Sequence, residues 1–347
     1  MIYGANGYTA QLAIEKAVAQ GRTPILAGRN RAAIEPLAEK YDLQSRIFDL
    51  TNRQQLTAEL EDVKVVSHCA GPYSATAEPM MRACIQSGTH YTDITGEIDV
   101  FLLSQSLDEE ARASGAVLCP GVGFDVIPTD CVAAKLKEAL PDATELDLGF
   151  QGDASLSPGT AKTMVEGISQ GMKVLRDGEL IRVPPSFEAR SIDFGTGPVP
   201  ASVIPWGDLA TAYWQTGIPN ISVYSRRRVS KAADLILPII QTVMKSSAVQ
   251  RLAKQRIERR VTGPDEANRA RRPTHVWGEA RNANGDSVTC RVETPNGYTV
   301  TMDGILLSAH FLMNYEGEGG CFTPAQLMGT ELVERLPGAG ELQISGI

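Results

Sequence analysis

The sequence predicts an α/β fold of two domains, an N-terminal parallel sheet wound by helices on both faces and a second, mixed α/β domain. Three observations support this prediction. The first 130 or so residues alternate short β-rich runs with amphipathic helical stretches, as expected for parallel strands joined by crossover helices. A glycine-containing turn directly follows the first strand. After Pro141 the runs become longer and alternate between polar and apolar residues.

The length and composition agree with this organisation. A chain of 347 residues suits two domains, and contents of 43% hydrophobic and 21% charged residues are ordinary for a globular protein. We expect the doubly wound sheet over residues 1–135 and the mixed domain over 136–315. We expect a C-terminal helix and strand over 316–347, and this segment could pack back on the first domain.

Each domain is predicted to contain a set of short elements. The strands of the first domain are expected at 1–3, 23–27, 46–48, 63–68, 90–93 and 116–119, with helices near 8–20, 31–41, 52–60, 76–87, 97–114 and 128–139. The second domain is expected to have strands at 145–150, 187–194, 220–224, 276–281 and 287–293, with helices at 160–175, 298–313 and 324–336. The Asn284-Gly285-Asp286 segment is typical of a hairpin turn.

Charge and cysteine content exclude several classes of protein. A net charge of −8 argues against a general nucleic-acid binder, since phosphate neutralisation requires a basic surface. The six cysteines and four histidines lack the spacing of a zinc site or a disulfide scaffold, so we predict reduced thiols and no metal. No export signal and no transmembrane run is recognised, which predicts a cytoplasmic protein.

Residues 226–272 are unusually basic, with thirteen Lys or Arg residues against four acids. Apolar residues from Ala232 to Val243 recur three and four apart, which predicts an amphipathic helix interrupted at Pro238. Three interpretations stay open: a helix packed on the second domain, a lid over a hydrophobic substrate, or peripheral membrane contact through residues 229–260.

The strongest local signal is the turn Gly4-Ala5-Asn6-Gly7-Tyr8-Thr9-Ala10 between the first strand and the first helix. Glycines permit a tight turn and close approach of a pyrophosphate, and the helix N-terminus favours anions. The turn predicts a dinucleotide-binding Rossmann domain; the alternative is a helix-capping turn without a ligand. The cofactor-binding residues predicted here are Gly4, Asn6, Gly7, Tyr8 and Thr9.

The end of the second strand favours NADP(H) over NAD(H). An NAD enzyme would be expected to place an acidic residue there, but this chain has Arg29, followed by Asn30. A guanidinium can bind a 2′-phosphate through two hydrogen bonds, although Arg29 could also be a surface residue at a helix start. Asp49, after the third strand, is expected either beside the adenine or as a helix cap.

Later strand ends supply further candidates, because the carboxyl ends of parallel strands lie over the cofactor. Small residues after the fourth strand would leave room for ribose and nicotinamide, and Gly121 follows the sixth strand. Polar groups that could orient substrate or transfer a proton are Tyr91, Asp93 and Asp125, with Glu97 nearby; helix capping competes for Asp93 and Asp125. The cofactor contacts predicted in this part are Cys69, Ala70, Gly71, Pro72, Tyr73 and Gly121.

Several segments together resemble the saccharopine dehydrogenase-like family, including its trans-acting enoyl reductase branch. They are Gly-Ala-Asn-Gly-Tyr-Thr, Ala-Gly-Arg-Asn, Cys-Ala-Gly-Pro-Tyr, His-Tyr-Thr-Asp-Ile-Thr-Gly-Glu, Gly-Phe-Asp-Val-Ile-Pro-Thr-Asp and, near the C-terminus, Phe-Thr-Pro-Ala. The resemblance implies a Rossmann domain with a smaller α/β domain, NADP(H) use, and hydride transfer to a C=N or activated C=C bond. The Tyr-x-x-x-Lys pair of short-chain dehydrogenases is missing.

The sequence therefore predicts an NADP(H)-dependent reductase that acts on a C=N, C=O or activated C=C bond of a small or lipid-like substrate, in a chain that could form a homodimer. Two alternatives remain open. The chain could be an NADP(H)-binding sensor or lipid-associated protein without turnover, because a fold alone does not establish catalysis. It could also be a saccharopine reductase, as the family resemblance permits.

Overall fold

The first sheet has seven strands, all parallel. The structure is a computed structural model that describes residues 1–152, 157–168, 171–184, 187–226, 240, 242–244, 246–270 and 273–346. The strand order is β15-β6-β5-β4-β1-β2-β3. These strands are β1 (Ile2–Tyr3), β2 (Leu26–Gly28), β3 (Ser45–Ile47), β4 (Val65–His68), β5 (His90–Asp93), β6 (Val117–Cys119) and β15 (Gly320–Cys321).

This order confirms the predicted doubly wound Rossmann sheet. From β1 the chain proceeds outward to β2 and β3, then returns to pair β4 with the other edge of β1. The order therefore reverses at β1, and such a switch point opens a crevice at the carboxyl ends of the strands. The crossover helices are α1 (Tyr8–Ala19), α2 (Arg31–Tyr41), α3 (Arg53–Ala58), α4 (Tyr73–Ser87), α5 (Ile98–Ser106) and α6 (Asp108–Ser114). Helix α7 (Ile127–Ala139) follows β6 and leads to the second sheet.

The core beneath the glycine turn is made of small and branched side chains. Ala10 and Ala13 on α1 are buried, and their size lets the helix lie close to the sheet. The buried cluster there is formed by Ile2, Ala5, Ala10, Ile14, Leu26, Ile34 and Ala38. Packing of one face of α1 on β1 and β2 thus fixes the helix end that follows the turn.

The second sheet is mixed and has the order β10-β11-β12-β7-β13-β14-β16, with β8 paired to β12 and β9. Of these pairs, β7 and β12 are parallel and the others are antiparallel. The strands are β7 (Glu145–Gly152), β8 (Met172–Arg176), β9 (Glu179–Val183), β10 (Arg190–Asp193), β11 (Pro198–Val203), β12 (Asn220–Arg226), β13 (Thr274–Arg281), β14 (Ser287–Thr294) and β16 (Gln343–Ser345).

The remaining helices complete the described chain. They are α8 (Pro158–Ile168), α9 (Asp208–Thr216), α10 (Ser247–Arg260), α11 (Glu266–Ala270), α12 (Gly297–Met313) and α13 (Pro324–Met328), followed by a 3₁₀ turn at Leu332–Arg335. The chain divides into two compact units, residues 1–127 with 298–332 and residues 128–297 with 333–347. The sequence-based bounds at 135 and 315 stay a prediction.

Three predicted helices differ from the observed elements. The helix expected at 160–175 ends at Ile168, and β8 follows, because Asp177 and Gly178 both adopt positive φ (51° and 79°) and turn the chain back as a hairpin. The expected 97–114 helix is broken at Leu107. The expected 324–336 helix ends before Gly329, whose φ is +97°.

Other predictions on the second domain had mixed outcomes. The hairpin at Asn284-Gly285-Asp286 is confirmed, with Arg281 paired to Ser287 and Gly285 at φ +94°. The apolar stripe predicted from Ala232 to Val243 lies mostly outside the described residues, as does Pro238.

Candidate cofactor-binding and catalytic site

Gly4 brings the turn after β1 directly against the end of β4. Its φ is +80°, a conformation that favours glycine, and its backbone N–H donates to the Ala27 carbonyl at 2.8 Å. A Cβ on Gly4 would lie 2.8 Å from both the Cβ and the backbone nitrogen of Ala70. The position therefore requires glycine for two independent reasons, and the turn lies at the switch point.

The N-terminus of α1 carries no side-chain cap. Gly7 is the N-cap residue, at φ −71° and ψ 152°, and the first turn has no acidic residue. The positive end of the helix dipole is consequently not neutralised by a side chain of the helix start, which suits a pyrophosphate.

The helix that follows β4 is different. The Glu97 carboxylate accepts hydrogen bonds from the backbone N–H groups of Tyr73 at 3.0 Å and Ser74 at 2.7 Å. An acidic side chain of the chain itself thus occupies the N-terminus of α4. Of these two helix starts at the carboxyl edge of the sheet, the one that follows the glycine turn is the one suited to an external anion.

The other predicted turn residues line the same segment. Asn6 is exposed, and its backbone carbonyl accepts from Gln11 Nε2 at 2.9 Å. Tyr8 and Thr9 are half-buried, and the Tyr8 ring meets the Tyr298 ring edge-on with centroids 5.3 Å apart. The turn is therefore held by a side chain of α1 and by an aromatic contact with α12.

The ends of β2 and β3 present one cation and one anion. Arg29 is exposed, and among the described residues its guanidinium has no ion pair or hydrogen bond. Asp49 is also exposed and accepts from the Thr51 backbone N–H at 2.8 Å and from its hydroxyl; these bonds lower the pKa of Asp49. Asn30 is exposed and is the N-cap of α2, with no side-chain capping bond. Arg29 is thus available for an anionic ligand.

Small residues follow β4, as the sequence suggested. Cys69 and Ala70 are half-buried, while Gly71 and Pro72 are exposed. Tyr73 is buried, and its hydroxyl donates to the His68 carbonyl at 3.2 Å. Burial raises the pKa of Cys69 to about 12, so the thiol stays protonated. The residues Cys69 to Pro72 therefore place only small, uncharged groups at the end of β4.

Tyr91 and Asp93 are joined to each other inside the sheet. The fully buried Tyr91 hydroxyl donates to Asp93 Oδ2 at 2.6 Å. Asp93 Oδ1 accepts from the backbone N–H groups of Thr95 at 3.0 Å and Gly121 at 2.8 Å. Both carboxylate oxygens are thus engaged, and the pair links the ends of β5 and β6. Burial raises the pKa of Asp93 to about 6.

Gly121 serves this linkage through its backbone. Its φ is +75°, and a Cβ would lie 2.7 Å from Val126 Cγ2 and 2.8 Å from Phe101 Cε1. Because its N–H is already bonded to Asp93, direct donation by Gly121 to a cofactor would require that bond to break.

Asp125 has a different environment. It is half-buried, and none of the described residues makes a hydrogen bond or ion pair with its carboxylate. A Cβ on Gly96 would lie 3.0 Å from Asp125 Oδ2, which places this carboxylate beside the segment that follows β5. Burial raises the pKa of Asp125 to about 7, so the group exchanges its proton near neutral pH.

His68 is the buried histidine at the end of β4. Neither ring nitrogen has a partner, and the ring lies 5.5 Å from the Tyr3 and Tyr73 rings. Burial lowers the pKa of His68 to about 3, so the imidazole is neutral at physiological pH. It therefore packs as an aromatic residue in this cluster.

The sequence prediction omitted the support that α12 gives to the Asp125 segment. Thr301 Oγ1 accepts from the Phe124 backbone N–H at 3.0 Å. A Cβ on Gly304 would lie only 2.1 Å from the Val122 carbonyl oxygen, so glycine permits α12 to approach the loop after β6. A glycine in the middle of an apolar helix was the available signal, since such a residue often marks close packing.

The second unit contains a charged cavity of about 430 Å³. Arg281 bonds to Glu145, Asp147 and Glu279, and Arg190 lies 2.9 Å from Asp147. The Arg190 guanidinium also stacks over the Tyr224 and Trp277 rings. The charges of this cavity are largely compensated internally. It is lined by Glu145, Asp147, Arg176, Glu188, Ala189, Arg190, Asn220, Tyr224 and Arg281.

Two kinds of feature are absent from the described part of the chain. None of its helices is long and apolar enough to cross a bilayer. No group of three or more His, Cys, Asp or Glu residues within it is arranged to hold a metal ion. The prediction that the protein uses no metal stays a prediction.

Comparison with known proteins agrees with the family resemblance. Residues 1–118 match the family described as the saccharopine dehydrogenase NADP binding domain. A mouse saccharopine dehydrogenase-like oxidoreductase is 31% identical over 150 residues, which is 38% of this chain and 35% of that protein. A trans-acting enoyl reductase of Mycobacterium leprae is 32% identical over 142 residues, covering 38% of this chain and 33% of the relative. The matches thus span about a third of these relatives.

Two solved structures share the fold over the whole chain. One is the apo saccharopine dehydrogenase (L-Glu forming) of Saccharomyces cerevisiae, at a TM-score of 0.67, 13% identity and coverage of 100% of this chain and 99% of that one. The other is the homospermidine synthase of Legionella pneumophila in complex with NAD, at 0.66, 9% identity and coverage of 100% and 90%. At these identities the likeness bears on the fold alone.

The sequence match and the glycine turn at the switch point both indicate a dinucleotide-binding N-terminal domain. The resemblance read from the sequence motifs is confirmed for the N-terminal domain, and the domain fits a nicotinamide dinucleotide through its uncapped α1 and the small residues after β4. Residues 1–118 therefore match the saccharopine dehydrogenase NADP binding domain family, and the rest of the chain shares a fold with the two solved structures.

Proposed function

We propose that the protein is an NADP(H)-dependent reductase that transfers hydride to a C=N, C=O or activated C=C bond of a small or lipid-like substrate. The observation that carries the proposal is the uncapped N-terminus of α1 behind Gly4 and Gly7, at the switch point of a parallel sheet. The names of the relatives, an oxidoreductase and an enoyl reductase, support the reaction class.

NADP(H) is the proposed form of the cofactor because of Arg29. Its exposed guanidinium at the end of β2 makes no hydrogen bond or ion pair with the described residues, although its charge helps to lower the pKa of Asp49. An NAD enzyme would be expected to have a carboxylate at this position. A 2′-phosphate would supply the missing acceptors through charge-assisted hydrogen bonds. The predicted contacts from Gly4 to Thr9, from Cys69 to Tyr73, and at Asn30, Asp49 and Gly121 are proposed as the rest of the cofactor site.

For the chemistry, we propose Asp125 as the proton donor. The bound nicotinamide supplies the hydride, and the protein must orient the substrate and provide a proton. Asp125 has a pKa of about 7 and no hydrogen-bond partner among the described residues, so it can hold a transferable proton near neutral pH. The other two predicted catalytic residues, Tyr91 and Asp93, engage each other, and a positioning role at the ends of β5 and β6 suits them better.

A turnover assay tests the proposed function. Purified protein is mixed with NADPH and a panel of imines, conjugated enones and lipid-like ketones, and loss of the reduced nicotinamide absorbance is followed. The proposal predicts oxidation of NADPH with at least one class. Binding of NADPH with no oxidation by any class would favour the cofactor sensor instead. Oxidation of saccharopine with NADP as acceptor would favour a saccharopine dehydrogenase.

We also propose a cytoplasmic location for the protein. All six cysteines are free, which suits the reducing cytoplasm. We also propose that residues 136–315 supply the substrate and dimer contacts of a homodimer; sedimentation of the purified chain at two concentrations would test its mass. The acidic net charge supports the proposal that no nucleic acid is bound.

A further inference from the structure

Helix α10 presents one strongly basic face to solvent. Arg251, Arg256, Arg259 and Arg260 are exposed along it, and Leu252 lies among them with 68% of its surface exposed. We call these five residues the basic face. Their side chains cover about half of the helix circumference over roughly two and a half turns.

A packed stripe of α10 adjoins the basic face. Val249, Ala253 and Ile257, each four residues apart, are half-buried, and α10 packs against α8. The helix therefore does not need the basic face for its own packing. The arginines and the leucine of the basic face are therefore accessible to a partner.

Apolar side chains near this helix are exposed as well. Val243, in the helical residues just before α10, has 51% of its surface exposed, and Ile240 has 42%. Met164 on α8 has 50% exposed. These apolar groups and the arginines lie in the second unit of a chain whose overall charge is −8, so the positive charge is concentrated locally.

We propose that the basic face of α10 docks on an anionic membrane surface. Arginines attract acidic lipid headgroups and can donate two hydrogen bonds to a phosphate, while an exposed leucine can enter the boundary between headgroups and acyl chains. The charge complementarity selects an anionic surface over a neutral one. Such docking would hold the protein on the membrane without a spanning segment, and it does not depend on the reductase function proposed above.

Flotation of the full chain with lipid vesicles tests the proposal. Vesicles of phosphatidylcholine alone are compared with vesicles that also contain phosphatidylserine, at low and high salt. Binding is expected only with phosphatidylserine and is expected to weaken as salt screens the charges. Equal binding to both vesicle types, or no flotation with either, would overturn the proposal.

Variants identify the surface. Each basic residue near such a membrane strengthens binding by roughly fivefold, so Arg251→Gln/Arg256→Gln/Arg259→Gln should weaken partitioning by about 100-fold. A control that removes the same charge elsewhere, Arg31→Gln/Arg53→Gln/Arg182→Gln, should retain most of the binding. Equal loss in both triple variants would show that net charge alone is responsible and would contradict docking through α10.

The leucine provides a second, uncharged test. Leu252→Ser should reduce partitioning by about tenfold, whereas Met313→Ser, at a methionine with 56% of its surface exposed in the other unit, should leave it unchanged. Unchanged melting temperatures would show that both variants are folded. If Leu252→Ser bound as the wild type does while an acidic protein competed for the basic face, the partner would be a protein and the membrane proposal would be wrong.

Discussion

Gly4 and Ala70 approach each other so closely that a Cβ on Gly4 would lie 2.8 Å from the Cβ of Ala70. This contact joins the turn after β1 to the end of β4, the two strands between which the sheet order reverses. The geometry of the crevice therefore depends on a residue without a side chain.

Gly4→Ala should destabilise the protein and abolish NADPH binding. Alanine at φ +80° costs about 1–2 kcal/mol, and the clash with Ala70 adds to it. Gly21→Ala is the matched control, because Gly21 has φ +72° and no atom within 4 Å of its added Cβ. Urea denaturation should show a clearly smaller loss for Gly21→Ala, with NADPH binding retained; equal losses would show that the contact has no effect.

Asp147→Ala should destabilise the second unit by about 3 kcal/mol, since it leaves two arginines beside a buried position without this partner. Asp147 is 7% exposed and lies 2.9 Å from both Arg190 and Arg281. Glu145→Ala, at a carboxylate 53% exposed, should cost about 1 kcal/mol or less. Equilibrium unfolding of both variants measures the difference. Comparable losses of unfolding free energy would contradict the prediction that Asp147 stabilises this unit more than Glu145 does.

Asp93→Asn should remove part of the pH dependence of stability. Burial raises the folded pKa of Asp93 to about 6, above its unfolded value, so the folded state binds the proton more tightly. Its contribution is fully present below about pH 4 and is lost as the pH rises to about 6, a change of roughly 3 kcal/mol. Denaturation between pH 4 and 8 should show a smaller decline for the variant. A decline identical to that of the wild type would refute this assignment.

Asp125→Asn should lower turnover by about 100-fold or more, because the proposed proton donor is lost. In the wild type the pKa of about 7 predicts that kcat/KM falls above neutral pH as Asp125 loses its proton. Tyr91→Phe, which removes a hydroxyl bonded to Asp93, should have a smaller effect on kcat. If both variants retained full turnover on an identified substrate, the catalytic assignment would be wrong.

The doubly wound sheet was predicted well because the sequence patterns of its strands, turns and helices are local. Six of the seven strands of the first sheet were expected close to their positions, since β-rich runs, the glycine turn and helical periodicity are visible within short segments. The same applies to the Asn284-Gly285 hairpin. The seventh strand, β15, was not predicted, because it comes from the C-terminal part of the chain and pairs with β6 only after folding.

The contacts that shape the site could not be predicted from local sequence patterns. The bond from Glu97 to the start of α4, the Tyr91–Asp93 pair and the close approach of Gly304 to Val122 join residues brought together only by folding. The strand β8 was wrongly predicted as the end of a helix. The residues before it have a helical amphipathic period, although Asp177-Gly178 is typical of a hairpin turn.

The most direct test of the account is a comparison of NADPH and NADH affinity in the wild type and in Arg29→Ala, with Arg31→Ala as the control. Arg31 is ion-paired with Glu35, whereas the Arg29 guanidinium makes no hydrogen bond or ion pair with the described residues. The account predicts that the wild type binds NADPH more tightly than NADH. It also predicts that Arg29→Ala weakens NADPH binding alone, by about 10- to 100-fold, and that Arg31→Ala changes neither. Equal affinity of the wild type for both nucleotides would contradict it.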